Sequence, residues 1–263
     1  MVQDLKTYPV TPGLTCENPR EGHPARTPRA GGTGKDTGVG HASMDGIRKS
    51  HNAYKRDLIE EHVRECDHVL DVGSGFGGDL QKYRARACRF AMCDPCPEAL
   101  EEAKTRAKKM RIPVDAWYVG DITSTPKRRY DVVAFFFSLH FIFASRELFF
   151  KSTRAIRERV KKGGKLIGII PDSEMINWRT PFKDELGNWF KMRHAHADGG
   201  FGEKLFVELV DTPFYADGPR SEPIAFKDVL ITQLEDLGLR LVSWENLRGA
   251  EISELYARFV FKG

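Results

Sequence analysis

The sequence has few cysteines, no long apolar run and little excess of either charge. The five cysteines among its 263 residues are odd in number and lack the spacing of a disulfide framework, which is typical of a reducing compartment. The longest apolar run, residues 132–137, falls far short of the roughly 20 residues that a membrane span requires. The start of the chain also lacks the pattern of a signal peptide. We therefore expect an intracellular protein without a membrane anchor.

The sequence gives little indication of a metal site or of a partner that binds mainly through charge. Cys93 and Cys96 have the spacing of a redox or zinc motif, but the sequence contains no second pair of this kind. We therefore predict no metal site. The net charge of +4, with a pI near 8.7, is only a mild indication of an anionic partner.

After a tail, the sequence alternates between predicted strands and predicted helices. Residues 1–43 are rich in proline and glycine and poor in large apolar residues, so we predict a disordered tail. Residues 44–263 form one predicted domain, whose first helix begins after Ser43 as a candidate cap. The alternation favours an α/β fold with a doubly wound, mostly parallel sheet, in which ligands bind outside the carboxyl ends of the strands. The predicted strands are 67–72, 89–94, 114–119, 130–137, 165–170, 239–244 and 256–262, and the later helices are 78–87, 97–110, 146–160 and 226–237.

The strongest functional signal is a glycine-rich loop after the first predicted strand. Four glycines fall within residues 73–78, directly after an apolar strand that contains Asp71. A second acid, Asp94, ends the next apolar run. Glycines let the backbone approach a ligand closely, and an acid on the second strand binds ribose hydroxyls. The pattern predicts a cofactor that contains adenosine, and a tight turn without a ligand is the alternative.

Asp71 favours S-adenosylmethionine over a dinucleotide as that cofactor. The glycine spacing departs from the pattern of dinucleotide sites. A carboxylate on the strand itself would repel a pyrophosphate, but it can accept hydrogen bonds from the ammonium group of an amino acid. Asp121 follows the third predicted strand, where it can accept from the adenine amine or simply cap a turn. Lys55 is a candidate partner for the cofactor's carboxylate, with an ordinary surface lysine as the alternative.

Several further segments, in order, resemble the mRNA cap guanine-N7 methyltransferase family. The helix at 47–59, IRKSHNAYKRDLI, resembles that family's opening of two asparagines, an aromatic residue and a lysine, and the loop DVGSGFGGDL at 71–80 is similar to its DLGCGKGGDL. The segments SLHFIF at 138–143, GGKLIGIIPDS at 163–173 and LYARFVFK at 255–262 also look like family motifs. Glu222 precedes Leu237 with the spacing seen after the family's cap-binding glutamate.

The resemblance implies a seven-stranded Rossmann-like methyltransferase sheet, S-adenosyl-L-methionine as cofactor and capped RNA as substrate. It also implies which residues contact the cofactor: Lys55, Asp71, Gly73, Asp79, Asp94 and Asp121. The residues that it places at the cap are His51, Asn52, Arg106, Ser138, His140, Phe141, Pro171, Glu222 and Tyr256. RNA triphosphatase, guanylyltransferase or an allosteric subunit are the implied protein partners. The implied location is the nucleus for a cellular protein, and the cytoplasm or virion for a viral one.

Four positions depart from the family pattern. Phe76 replaces the lysine of the glycine loop, and His51 replaces the first of two asparagines. Phe141 replaces the tyrosine of its motif, and Phe136 replaces a glutamine. We therefore expect guanine and phosphate contacts that are weaker than, or arranged differently from, those of the family.

The implied reaction needs no catalytic acid or base. Guanine N7 carries an exposed lone pair and no proton, so an enzyme must supply positioning and a suitable electrostatic environment. Glu222 would then accept from guanine's amino and imino groups, His140 would donate to its carbonyl oxygen, and Arg106 would bind phosphate. Two alternatives remain open. One is a class I methyltransferase that acts on tRNA, protein or a small molecule, and the other is a weakly active subunit that binds cofactor or RNA and stimulates a partner.

Overall fold

The computed structural model describes residues 43–86, 88–193, 200–210 and 218–263. Apart from Ser43, the predicted tail therefore lies outside the described residues. No helix in these four ranges is both long and apolar enough to cross a bilayer. The helices are α1 Met44–His62, α2 Leu80–Ala85, α3 Pro97–Met110, α4 Arg146–Arg159, α5 Ser173–Arg179 and α6 Lys227–Asp236.

Seven strands form one large sheet: β1 His68–Val72, β2 Arg89–Asp94, β3 Ala116–Val119, β4 Tyr130–Phe136, β5 Val160–Pro171, β10 Arg240–Asn246 and β11 Tyr256–Lys262. Their spatial order is β10-β11-β5-β4-β1-β2-β3. Strand β11 is antiparallel to β10 and β5, and the other pairings are parallel. This arrangement confirms the predicted seven-stranded, mostly parallel sheet.

Helices cover both faces of the sheet, which explains why the central strands β1, β2 and β4 are buried along almost their whole length. Val69 of β1 packs into the core under α1, α2 and α3, whereas its neighbour Leu70 packs into the core under α4 and α6. Ser43 accepts a hydrogen bond from the backbone N–H of Gly46 at 3.1 Å, so it caps α1 as predicted. The sheet is therefore doubly wound.

A second, smaller sheet was not predicted from the sequence. Its antiparallel strands are β6 Phe182–Lys183, β7 Trp189–Arg193, β8 Lys204–Glu208 and β9 Arg220–Pro223, in that spatial order. Leu205 and Val207 alternate with more exposed residues on β8 and enter the same core as α1. The small sheet thus packs on the α1 side of the large sheet.

The parallel strands β4, β1, β2 and β3 end side by side at one edge of the large sheet. The N–H groups of Gly73 and Ser74 both donate to the Cys93 carbonyl, at 2.8 and 3.1 Å. The Gly120 N–H donates to the Asp94 carbonyl at 2.9 Å. These bonds align the segments that follow the strands, so the residues predicted to bind a cofactor lie along one edge.

Candidate functional site

The glycine loop combines a closely packed end with an open one. Gly73 has a φ of 76°, and a Cβ built on it would lie only 2.3 Å from the Cβ of Ser138. Gly75 has a φ of 51°, but a Cβ there would meet no atom within 4 Å. The backbone at Gly73 must therefore be bare to pass Ser138, whereas Gly75 faces space that a ligand can enter.

Asp94 braces this loop from the end of β2. Its Oδ2 accepts from the Gly75 N–H at 2.7 Å, and its Oδ1 accepts from the Cys96 N–H at 2.9 Å. Burial raises the pKa of the carboxyl group, and these two N–H groups partly oppose that rise. Each carboxylate oxygen can accept more than one hydrogen bond, so Asp94 can brace the loop and still bind hydroxyl groups.

Asp79 lies between two lysines just after the loop. Its Oδ2 is 2.8 Å from the Nζ of Lys55, and its Oδ1 is 2.7 Å from the Nζ of Lys82. Burial alone would raise the pKa of Asp79, but the two ammonium groups outweigh it and lower that pKa. Lys55 is thus a partner of a buried acid, not the solvated surface lysine of the alternative interpretation.

Asp71 is a second buried acid beside this charged group. It is 1% exposed, and its Oδ2 has no hydrogen-bond partner among the described residues. Burial, followed by repulsion from Asp79, raises its pKa well above the usual value. A buried carboxylate oxygen without a hydrogen bond costs free energy, so a ligand that donates a hydrogen bond to it would bind favourably.

Asp121 is placed as predicted but makes a local contact. It follows β3 at the same sheet edge, is exposed, and its Oδ1 accepts from the Thr123 N–H at 2.8 Å and from the Thr123 hydroxyl at 2.6 Å. It therefore caps the short 3-10 helix Ile122–Ser124. The predicted contact with adenine stays a prediction.

A cluster of aromatic rings lies beside the glycine loop at the same edge of the large sheet. The ring centroids of His51 and Phe137 are 5.2 Å apart, and those of Phe137 and Tyr256 are also 5.2 Å apart. Burial, together with the nearby Lys55 charge, lowers the pKa of His51 to about 4, so this ring is neutral near pH 7. Phe137 has a φ of 60°, a left-handed conformation that is unusual for a large side chain and often occurs at functional sites.

His140 and Glu222 form a hydrogen-bonded pair next to this cluster. The His140 Nε2 lies 3.0 Å from the Glu222 Oε2, although 82 residues separate the two in sequence. The ring of His140 is almost fully buried, and its Nδ1 has no partner among the described residues. Burial, followed by the charge of Glu222, raises the pKa of Tyr256. The small sheet carries Glu222 on β9, so this sheet is what completes the pair.

The other residues predicted at the cap occupy more varied positions. Ser138 donates to the Val72 carbonyl at 2.6 Å, and Pro171 pairs with Tyr256 across β5 and β11. Phe141 is 42% exposed beside His140, with ring centroids 4.3 Å apart. The last two are Asn52 on α1, which accepts from Lys82 at 2.9 Å, and Arg106 on α3, which donates to Glu102 at 3.0 Å.

Two supporting residues were missed in the sequence. Lys82 follows Asp79 by three positions in a helix, a spacing at which opposite charges meet, so its pairing could have been predicted. Asp172 is buried after β5 and accepts from the Trp244 indole at 2.9 Å and from the Asn246 amide at 3.1 Å. No local pattern links these residues, because the contact joins strands that are more than 70 positions apart.

Comparisons with known proteins point to one family. The model of the mRNA (guanine-N(7))-methyltransferase domain matches residues 41–195. An mRNA cap guanine-N(7) methyltransferase of Eremothecium gossypii is 33% identical over 51% of this chain and 34% of its own length. One of Cryptococcus neoformans is 29% identical over 82% of this chain and 31% of its own length. The chain thus spans about a third of the length of these curated relatives.

The fold is shared with solved methyltransferase structures. An S-adenosylmethionine-dependent methyltransferase of Clostridium acetobutylicum superposes with a TM-score of 0.57 at 15% identity. The superposition covers 82% of this chain and 91% of that one. At this level of identity the likeness concerns the fold alone.

Proposed function

The chain belongs to the mRNA (guanine-N(7))-methyltransferase family, and from that premise we propose that it methylates N7 of the guanine cap of RNA, with S-adenosylmethionine as the methyl donor. The observation that carries the proposal is the hydrogen bond between His140 and Glu222, 3.0 Å long, beside the aromatic cluster. A partly buried carboxylate that a histidine holds in place suits a base that presents amino and imino groups.

The glycine-loop side of the site, which we call the cofactor half, fits S-adenosylmethionine. Gly75 faces open space, and Asp94 beside it can accept from ribose hydroxyls. The Asp71 Oδ2, which has no hydrogen-bond partner among the described residues, suits the ammonium group of the methionine part. Lys55 supplies a positive charge for the carboxylate of that same part, while Asp79 keeps the lysine in place.

The opposite side, which we call the cap half, fits guanine. His51, Phe137 and Tyr256 offer aromatic surface on which a flat base can pack. Glu222 then accepts from the edge of guanine that carries the amino group, and His140 orients Glu222 through their hydrogen bond. Ser138 lies between the two halves, because it touches the glycine loop and immediately precedes the short helix that carries His140.

The chemistry matches a site without a general base. When bound, S-adenosylmethionine supplies an electrophilic methyl group, and transfer of that group to the lone pair of N7 leaves a neutral thioether. No proton leaves N7, so the residues need only align the two molecules and exclude water. Positive charge passes to guanine during the transfer, and in this proposal the carboxylate of Glu222 stabilises it.

The decisive test is methyl transfer from labelled S-adenosylmethionine to the cap analogue GpppA by the full chain. We expect label on guanine N7, identified by nuclease digestion and chromatography. Label on tRNA or protein but not on GpppA would favour the class I alternative. The stimulatory-subunit alternative would be favoured if the chain binds the cofactor but transfers no methyl group, and if methyl transfer appears when a candidate partner protein is added. The intracellular location and the capping partners predicted above belong to the same proposal, because its substrate is capped RNA.

A further inference from the structure

A buried serine contacts one edge of the His51 ring. The Ser253 Oγ lies 3.0 Å from the His51 Nε2, although 202 residues separate the two in sequence. Ser253 is fully buried, and it begins the short 3-10 helix Ser253–Leu255 that leads into β11. Neither the sequence patterns nor the proposed methyl transfer gives this hydroxyl a role, yet it touches a ring of the cap half.

The hydroxyl of Ser253 is the donor in this hydrogen bond. Its Oγ makes no other hydrogen bond to a described residue, and burial shields it from water. If the His51 Nε2 carried a proton and donated it, the hydroxyl hydrogen of Ser253 would be buried without an acceptor, which is unfavourable. When the hydroxyl donates instead, both groups are satisfied, because a neutral imidazole accepts at one ring nitrogen and donates at the other.

The tautomer of His51 follows from the direction of this bond. Burial, followed by the charge of Lys55, lowers the pKa of His51 to about 4, so the ring is neutral near pH 7. Because the Nε2 accepts, the proton of the neutral ring lies on the Nδ1. The ring is partly buried, and its Nδ1 makes no hydrogen bond to a described residue. His51 therefore presents an N–H group that can donate to a ligand.

This donor belongs to the cap half. The ring centroid of His51 lies 5.2 Å from that of Phe137 and 5.5 Å from that of Tyr256. Lys55, one turn later on α1, serves the cofactor half instead, where it pairs with Asp79 at 2.8 Å. A guanosine that packs on the aromatic cluster would therefore bring its acceptor oxygens next to His51.

A neutral donor also suits the charge that develops in the proposed reaction. Guanine becomes positive as the methyl group reaches N7, and an imidazolium beside it would oppose that change. A neutral imidazole that is held in one tautomer supplies a hydrogen bond without adding positive charge. The contact with Ser253 thus gives His51 a defined direction of hydrogen bonding at no electrostatic cost to the transfer.

We propose that Ser253 is a positioning residue, whose hydroxyl holds His51 in the tautomer that donates through Nδ1 to an acceptor oxygen of the capped guanosine. This inference rests on the proposed function, because the capped guanosine is the ligand. Ser253 acts through His51, so its loss should weaken binding of the cap and leave binding of the cofactor unchanged.

The first test observes the tautomer directly. Two-dimensional NMR of the histidine ring nitrogens in the full chain distinguishes a protonated nitrogen from an unprotonated one, and comparison with His51→Asn identifies the signals of His51. At pH 7 we expect a protonated Nδ1 and an unprotonated Nε2 in the wild type, and protonation of Nε2 in Ser253→Ala. The matched control is Ser152→Ala, which removes the hydroxyl of a buried serine on α4, at the opposite face of the large sheet, and should leave the His51 signals unchanged. A protonated Nε2 in the wild type overturns the inference.

The second test measures binding and turnover. Calorimetry gives the Kd of GpppA and of S-adenosylmethionine, and methylation assays give KM and kcat. For Ser253→Ala we expect the Kd and KM of GpppA to increase about fivefold, the size of one neutral hydrogen bond. The kcat and the Kd of S-adenosylmethionine should stay as in the wild type. An increase in the Kd of S-adenosylmethionine with no change for GpppA would show that the donor serves the cofactor, and would overturn the assignment to the cap.

A double mutant separates the effect of the tautomer from a general loss of structure. The amide nitrogen of asparagine and the Nδ1 of histidine are both bonded to Cγ, so His51→Asn keeps an N–H donor that does not depend on Ser253. Adding Ser253→Ala to His51→Asn should therefore cause no further increase in KM. An equal increase in both backgrounds overturns the inference, as does a wild type that does not bind GpppA. Failure of the proposed function gives a different result, in which the wild type binds GpppA in a Ser253-dependent way but transfers no methyl group to it.

Discussion

Asp79→Asn should be among the most damaging single changes in the cofactor half. Asp79 is 4% exposed, and its two oxygens lie 2.8 and 2.7 Å from Lys55 and Lys82. The substitution keeps the shape of the side chain but leaves two largely buried ammonium groups without their anion. Breaking a buried ion pair in this way costs about 3–5 kcal/mol.

The neighbouring Asp71 determines where in the range of about 3–5 kcal/mol the loss of stability should fall. Repulsion from Asp79 contributes to its raised pKa, so removal of the Asp79 charge makes ionisation of Asp71 easier. The Asp71 carboxylate would then compensate part of the charge on Lys55, which lowers the expected loss to about 3 kcal/mol. For a domain of this size, that loss corresponds to a decrease in Tm of roughly 6–12 °C.

Thermal unfolding at pH 7, followed by circular dichroism, measures this effect. Glu158→Gln is the control, because Glu158 pairs with Lys127 at 3.0 Å on the exposed surface, where solvent screens the pair. The lowered pKa of Asp79 means that its contribution is present above the usual pKa of aspartate and is lost as the pH falls through the lowered value. The difference between wild type and Asp79→Asn should therefore shrink in acid. Equal midpoints for Asp79→Asn and Glu158→Gln at pH 7 would refute the reasoning.

Three further predictions concern single residues. The pKa of His51 is lowered to about 4 in the folded protein and is about 6.5 when unfolded, so stability should fall as the pH drops through this window, by roughly 2 kcal/mol at pH 5. His51→Gln should lose that dependence, and an unchanged pH profile would contradict the burial of this ring. Glu222→Ala should abolish cap methylation but leave the Kd for S-adenosylmethionine unchanged in calorimetry, and intact turnover would disprove its role. Gly73→Ala should lower stability by about 2 kcal/mol or more, because its Cβ would lie 2.3 Å from Ser138, and adding Ser138→Gly should restore part of the loss if the clash is the cause.

Local signals in the sequence were sufficient to predict the strands and helices that carry the cofactor half. The bounds of α3 agree with the predicted helix at 97–110, because Pro97 suits the first turn and Ala103 and Ala107 keep helical spacing on the buried face. The first two strands were equally clear, since each is a short apolar run that ends at a glycine or an acid. Parallel pairing then brings the strand ends together without further information.

The cap half could not be predicted in the same way. Strands β6 to β9 are short, and β6 has only two residues, so the period of two is too brief to identify them. The hydrogen bond between His140 and Glu222 depends on how this small sheet packs against the large one. In the sequence, only the family resemblance related these two residues, because nothing in their local patterns does so.

Different strand pairings position the residues of the two halves, so a structural change in one half need not affect the other. The cofactor half is built from the ends of adjacent parallel strands, so the pairing of β1 with β2 fixes the distance between Gly75 and Asp94. The cap half depends on the register of β8 and β9, where Leu205 pairs with Glu222. A shift of that register by one residue would turn Glu222 to the opposite face of the small sheet. Under the proposed function, such a shift would remove guanine recognition while leaving every contact of the glycine loop in place. We therefore expect that base recognition can be lost without loss of cofactor binding.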